Sequence, residues 1–187
     1  MEVRQLAIPG TYEITPKRIG DDRGYFAETF RDDIFRKKVQ DIDFVQENQS
    51  FSSAPGTIRG LHFQSKPFEQ GKLVRCLQGA IFDVAVDIRH SSPHYGQSVA
   101  VELRDDALNQ IWIPPGFAHG FCTLVPNCIV SYKVTAYYSR DNDHNFAWND
   151  GSVGINWPAA ADENTLSTKD AGAPILSELP NYFEFEG

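Results

Sequence analysis

Ile81, Phe82, Asp83, Val84, Ala85, Val86, Asp87 and Ile88 form the stretch that decides the fold class. Phe82, Val84, Val86 and Ile88 fall on one face of an extended chain and Asp83, Ala85 and Asp87 on the other, a period of two that belongs to strands. Outward from it, Gln97–Leu103, Gln110–Ile113, Phe121–Leu124 and Cys128–Ala136 read the same way, as short runs of Val, Ile and Phe punctuated by Gly, Pro, Asp and Asn. Two stretches predict helix. In Asp32–Val39, Asp32 or Asp33 can cap a stripe of Ile34, Phe35 and Val39, and Asp105–Asn109 makes one turn. No strand–helix–strand alternation occurs, which argues against a parallel doubly wound sheet. Many short antiparallel strands remove their edges by closing into a barrel or a double-sheet jelly roll, and such barrels hold ligands at the mouth. Beyond Trp157, the prolines at 158 and 174 and several alanines predict a tail of turns and short helices laid over a sheet.

The chain's 187 residues make one domain of ordinary size, and no linker, repeat or low-complexity tract divides 1–187. With 41% hydrophobic and 22% charged residues it lies outside the disordered and disulfide-scaffold classes. A net charge of −8 disfavours a nucleic-acid partner, whose phosphates demand clustered Lys and Arg. Met1–Gly10 carries Glu2, Arg4 and Gln5 among short apolar runs, and no apolar run nears the roughly 18 residues needed to cross a bilayer. The expectation is a cytoplasmic protein with no membrane partner. Cys76, Cys122 and Cys128 are odd in number, lack metal-type spacing and lie in apolar runs, so they read as reduced core residues.

Chemistry concentrates in Arg59-Gly60-Leu61-His62-Phe63-Gln64 and in Gln70-Gly71-Lys72-Leu73-Val74-Arg75. A lone imidazole and an ammonium on neighbouring strands suit proton transfer on an anionic, oxygen-rich substrate. By strand parity Lys72 shares the side of Val74 and Cys76, and Tyr132 that of Cys128, Val130, Val134 and Ala136, which places both toward the interior. An inward ammonium is costly unless it meets an anion, and the competing reading of Lys72 is a strand end whose head reaches solvent. A single histidine among apolar residues, His62 is by itself more often a hydrogen-bonded structural residue than a base, and what lifts it is the company of Arg59, Gln64 and Lys72. His119 follows a Pro114-Pro115-Gly116 turn that either aims it or uses it to hold backbone carbonyls. Arg59 and His62 have opposite parity, so sharing a cavity requires a bulge near Gly60. A metal centre on this kind of fold wants two histidines and a carboxylate converging, and position 64 holds Gln; no metal or cofactor is expected.

Asp22-Arg23-Gly24-Tyr25-Phe26 with Glu28, then Gln46-Glu47-Asn48 with Ser50, then the Arg59 and Lys72 tracts follow one another in order. Phe82–Arg89, Pro114–Phe121, Trp148-Asn149-Asp150 and Leu166-Ser167-Thr168-Lys169-Asp170 continue the series. Over about Ile8 to Leu176 this chain resembles the dTDP-4-dehydrorhamnose 3,5-epimerases. The resemblance implies an all-β, cupin-type antiparallel jelly roll that assembles as a homodimer. It also implies cofactor-free epimerisation at C3 and C5 of dTDP-4-dehydro-6-deoxy-D-glucose to dTDP-4-dehydro-L-rhamnose, a step of dTDP-rhamnose biosynthesis. By the same resemblance His62 is the base, Asp170 orients it, Tyr132 is the opposing acid, and Lys72 holds the C4 oxygen. Without the resemblance Asp170 reads as an exposed loop carboxylate.

The resemblance further assigns Arg23, Phe26, Glu28, Gln46, Glu47, Asn48, Arg59, Lys72, His119, Asp143 and Lys169 to substrate binding, with the Arg23–Glu28 segment reaching the partner subunit's pocket. Arginine forks suit a diphosphate. Read singly, Arg23 is a solvated turn residue, Arg59 half of an ion pair, and Phe26 core. Asp143 stands where the family often has Glu, and the Ser52–Thr57 loop is one residue longer than usual. Three rival readings remain: a metal-dependent cupin, a non-catalytic nucleotide-sugar-binding cupin, and an epimerase acting at C3 or C5 alone.

Overall fold

The expected period of two produces a pair of facing antiparallel sheets in the computed structural model, which describes residues 1–186. In chain order the strands are β1 (Glu2–Gln5), β2 (Tyr12–Thr15), β3 (Arg18–Asp21), β4 (Gly24–Ala27), β5 (Gln46–Ser52), β6 (Ile58–Gln64), β7 (Lys72–Gln78), β8 (Ala80–Asp87), β9 (Ser98–Arg104), β10 (Gln110–Ile113), β11 (Phe117–Thr123), β12 (Cys128–Val134) and β13 (Asp143–Asn145). The helices are α1 (Asp32–Lys38) and α2 (Thr168–Ala171). One sheet runs β1-β2-β10-β7-β12-β5 and the other β13-β6-β11-β8-β9, while β3 and β4 form a separate hairpin. From β5 to β12 the chain switches sheet at every step except the β8–β9 hairpin, which is the winding of a jelly roll.

The alternation of β8 defines two faces without saying which is inside. Ile81 and Ala85 join Val74, Cys76, Ile111, Phe121 and Val130 between the sheets, so Asp83 on their parity points into the barrel. The more apolar face, with Val84, Val86 and Ile88, lies on the outside beneath Phe146, which follows β13, and Leu176 and Phe183 of the C-terminal segment. That segment is, as expected, a string of turns, short 3₁₀ pieces at Glu163–Thr165 and Leu176–Glu178, and α2. Both faces of β8 are therefore buried.

Helix α1 covers the outside of the other sheet. Phe35 packs edge-on against Trp112 and Phe44, above Ile14 and Leu73. The cap position belongs to Arg31, which makes no side-chain cap bond, and neither Asp32 nor Asp33 occupies it. Both carboxylates sit in the first turn and Arg36, Lys37 and Lys38 in the last, where each sign suits the helix dipole. Asp105–Asn109 is a turn, with Leu108 in the left-handed region at φ 60°. The three cysteines are buried and unpaired, and burial pushes the Cys76 thiol up to about 12 and the Cys122 thiol up to about 11.

The bulge expected at Gly60 is present. His62 pairs with His119 and Arg59 with Phe121, so three steps along β6 match two along β11. Gly60 has φ 109°, and a Cβ there would lie 2.6 Å from the His119 carbonyl oxygen and 2.7 Å from the Gly120 Cα. Only glycine accepts both the dihedral and the approach. The extra residue turns Arg59 and His62 toward one cavity. Gly60→Ala is expected to lower unfolding stability by roughly 1–3 kcal/mol in urea titrations. Unchanged stability would mean that the bulge tolerates a side chain.

Candidate active site

One end of the barrel opens into a cavity of about 390 Å³ whose walls include Ser50, Arg59, His62, Lys72, His119, Phe121, Tyr132 and Asp170. A second cleft, about 440 Å³, shares His62, Lys72 and Tyr132 and extends past Gln46, Asn48, Gln64, Tyr138 and Asp143. The three shared residues sit where the two arms meet, and they arrive on β6, β7 and β12.

His62 Nε2 lies 2.5 Å from Asp170 Oδ1. Asp170 is only 6% exposed, which corrects the reading of an exposed loop carboxylate. Its position follows from Ser167, which caps α2: the Ser167 hydroxyl accepts from the Asp170 backbone N–H at 3.1 Å and donates to Asp170 Oδ2 at 2.9 Å. Ser-x-x-Asp is a variant of the capping-box spacing, a signal present in the sequence that the strand-centred reading passed over. Burial raises the Asp170 pKa. The hydrogen bonds from His62, Ser167 and Asn145 outweigh it and hold the carboxyl below its usual range. An ionised Asp170 fixes the proton of a neutral His62 on Nε2 and leaves the lone pair on Nδ1.

Lys72 is 8% exposed, and its Nζ donates to the His62 carbonyl at 3.3 Å. Its head does not reach solvent. Burial lowers its pKa to about 8 against the opposing pull of Asp143 and Asp83. His119 is not a carbonyl-holding turn residue: its Nε2 lies 2.9 Å from Asp83 Oδ2 inside the barrel, and burial pushes its pKa down. Tyr132 faces the cavity from β12, with its phenol pKa raised chiefly by burial.

Arg59 is not in an ion pair; it donates to Ser52 Oγ at 3.2 Å and to the Phe51 carbonyl at 3.0 Å. Gln46 and Asn48 are bonded to each other at 2.7 Å along one wall. Glu47, between them, turns to the outer face of β5 and binds Lys133 Nζ and Ser131 Oγ, each at 2.7 Å, so its side chain does not line the cavity. Asp143 lines the second arm and pairs with Lys169 Nζ at 2.7 Å. Tyr138, missed by the sequence reading, stands beside it with its hydroxyl 3.3 Å from Asp143 Oδ2. Arg23, Phe26 and Glu28 line neither arm. Arg23 is bonded to Asp21 on the exposed β3–β4 hairpin, and Phe26 is 69% exposed, which excludes the core reading. Gln64 is occupied structurally by the Phe68 and Tyr137 carbonyls and the Ser139 N–H. Among the described residues no group of three or more His, Cys, Asp or Glu is placed to hold a metal ion.

A sequence profile described as dTDP-4-dehydrorhamnose 3,5-epimerase matches residues 5–178. This chain belongs to that epimerase family. A dTDP-4-dehydrorhamnose 3,5-epimerase of Sinorhizobium fredii is 51% identical over 185 residues, covering 99% of this chain and 94% of the relative. The crystal structure of dTDP-6-deoxy-D-glucose-3,5-epimerase from Legionella pneumophila, in complex with dTDP-4-keto-L-rhamnose, superposes with a TM-score of 0.92 at 39% identity, covering 100% of this chain and 99% of that one. A 3'-monoepimerase from Streptomyces bikiniensis in complex with dTDP-quinovose aligns at TM-score 0.86 and 30% identity, over 93% of this chain and 87% of its own. The cupin-type jelly roll implied by the motifs is thus the family's fold. No helix among the described residues is long and apolar enough to cross a membrane.

The epimerase site holds its ammonium at a cost to stability. A folded-state pKa near 8, below the usual lysine value of 10.5, means that folding opposes the charged form. The native state is therefore destabilised below pH 8, and stability recovers as pH rises between the two values. Lys72→Met is expected to raise stability near neutral pH by roughly 1–3 kcal/mol. Thermal unfolding checks this, and a lowered midpoint would mean that the ammonium is fully compensated.

Proposed function

We propose that this protein epimerises C3 and C5 of dTDP-4-dehydro-6-deoxy-D-glucose, giving dTDP-4-dehydro-L-rhamnose. The observation that carries the reading is the His62–Asp170 pair facing, from one sheet, a cavity that Tyr132 and Lys72 enter from the other. A C4 ketone acidifies the hydrogens on both neighbouring carbons. His62 Nδ1 removes one of them, Asp170 stabilises the imidazolium, and the Lys72 ammonium takes up the negative charge on the C4 oxygen. Tyr132, protonated because burial raises its pKa, returns a proton from the opposite face. Inversion follows because donor and acceptor belong to opposite sheets.

The diphosphate lies toward Arg59, whose present partners are neutral oxygens that leave its charge available. His119, Gln46, Asn48, Asp143 and Lys169 hold the sugar and its linkage. The exposed hairpin bearing Arg23, Phe26 and Glu28 completes the site of a second copy, which makes the enzyme a homodimer. Ile19, Tyr25 and Phe26 on that hairpin are 59%, 53% and 69% exposed, more apolar surface than an isolated two-stranded element retains comfortably. Three unpaired buried cysteines suit a cytoplasmic setting. Inversion at a single carbon is the second reading, favoured by the likeness to a 3'-monoepimerase.

Product NMR in deuterated water, with a reductase trapping the product, distinguishes these readings. Inversion and deuterium at both C3 and C5 support the first, and change at one carbon supports the second. His62→Asn is expected to reduce deuterium uptake by about 10²–10⁴-fold with nucleotide-sugar binding retained. Undiminished uptake would remove His62 from the reaction, and binding without turnover in the wild type would leave a carrier barrel.

Shared sites make a further prediction. Mixed H62N and R23A subunits are expected to recover activity, because one of the two sites in the mixed dimer then carries neither change. No recovery under conditions of subunit exchange would confine the hairpin's role to its own chain.

A further inference from the structure

We propose that Asp83 is a positioning residue of this site: from inside the barrel it holds His119 as the Nε2–H tautomer and, together with Asp143, supplies the negative charge that keeps the Lys72 ammonium protonated. The inference rests on the epimerase reading only for what that ammonium does in the reaction.

Asp83 has no solvent exposure and shares the parity of Ile81 and Ala85, so its carboxylate sits among the apolar residues between the sheets. Burial pushes its pKa up, while His119 and Lys72 pull the other way, so the charge there depends on these two partners. Oδ2 lies 2.9 Å from His119 Nε2, whereas Oδ1 is buried with no hydrogen-bond partner. Half of the carboxylate thus has no local bond to account for it.

The buried cation of the same interior is Lys72, projecting from the opposite sheet on the parity of Val74 and Cys76. The groups that bear on it come from several elements. His62 stands on β6, His119 on β11 and Tyr132 on β12, all lining the same cavity. Asp143 on β13 and Lys169 on α2 also act on Lys72, with opposite signs. Asp143, whose pull on Lys72 is larger than that of Asp83, also forms a salt bridge with Lys169 at 2.7 Å, and Lys169 opposes it. Burial drives the Lys72 pKa down to about 8, and the Asp83 charge acts against that fall. His119, pushed toward its neutral form by burial, transmits no positive charge of its own and only fixes the carboxylate's orientation.

Asp83→Asn is nearly isosteric and keeps an oxygen for the His119 N–H while deleting the charge. Without it Lys72 loses its proton at lower pH, so the alkaline limb of the kcat/KM profile moves down by about one unit. Above that limb the rate falls about tenfold while KM for the nucleotide sugar changes little. A purely structural Asp83 would lower the melting temperature and leave the limb in place. A folded variant with an unmoved limb overturns the proposal.

Nitrogen-15 NMR of the wild-type imidazoles reads the other half without turnover. His119 is expected to be neutral and protonated on Nε2 at neutral pH, and an Nδ1–H tautomer or an imidazolium overturns the proposal. This measurement decides the matter if the variant does not fold. Carbon-13 NMR of the lysine ε-carbons, comparing wild type with the variant, reports Lys72 directly. A failed epimerase reading therefore remains distinguishable from a failed role for Asp83.

Discussion

Placing an ammonium inside a barrel built of Val, Ile, Phe and Cys is the constraint around which the polar architecture is organised. Among the described residues Lys72 has one hydrogen bond, to the His62 carbonyl, and no carboxylate within bonding distance, yet it is almost fully enclosed. Desolvation of an ammonium is large compared with a single neutral hydrogen bond, so its charge survives only if anions surround it without capturing it. Asp83 and Asp143 do this from two strands of the other sheet. A direct salt bridge would stabilise the resting enzyme and leave less charge for an enolate oxygen. An ammonium held under tension, by contrast, gains most when a negative oxygen develops beside it, which is differential stabilisation of the transition state.

His62, the proposed base, depends on a different part of the chain for its orientation. Asp170 belongs to the C-terminal segment, which lies over the outer face of β8 through Leu176 and Phe183. That apolar cover secures the segment. Its short helix then needs a cap, and the capping serine also bonds the Asp170 carboxylate. Packing on the outside of one sheet therefore positions a carboxylate that reaches His62 at the barrel mouth. Loss of outer packing would slacken the 2.5 Å contact before it opened the core, coupling stability to catalysis through a segment with little regular structure.

The sequence was most legible where one rule governed one element. Parity placed Lys72 with Val74, Tyr132 with Val130, and demanded a bulge between Arg59 and His62, and all three appear. Parity failed to identify the inside of β8, because both of its faces are covered and the more apolar one faces the tail. The inward direction of Asp83 was hidden for the same reason, since alternation alone does not say which face of β8 lies between the sheets. Asp170 was invisible to local reasoning because its partner is 108 residues away and only the folded tail brings them together. For Arg23, Phe26 and Glu28 neither the sequence nor one folded chain places the ligand they would meet, because their hairpin has no covering surface.

The geometry also bears on how one base can serve two carbons. C3 and C5 both flank C4, so under the proposed roles a C4 oxygen anchored on Lys72 gives the ring a pivot about which either neighbouring carbon can turn toward His62. The dyad and the ammonium are indifferent to which carbon is presented. What distinguishes them is the wall of each arm: Arg59 and Ser50 on one side, and Asn48, Tyr138 and Asp143 on the other. A fold shared at TM-score 0.86 with a 3'-monoepimerase is consistent with that division. Restricting the reaction to one carbon then requires only that an arm resist the pivot, leaving the proton-transfer machinery untouched. Regiochemistry on this scaffold is thus a property of side chains bordering the junction, Asn48, Tyr138 and Asp143 on one side and Arg59 and Ser50 on the other.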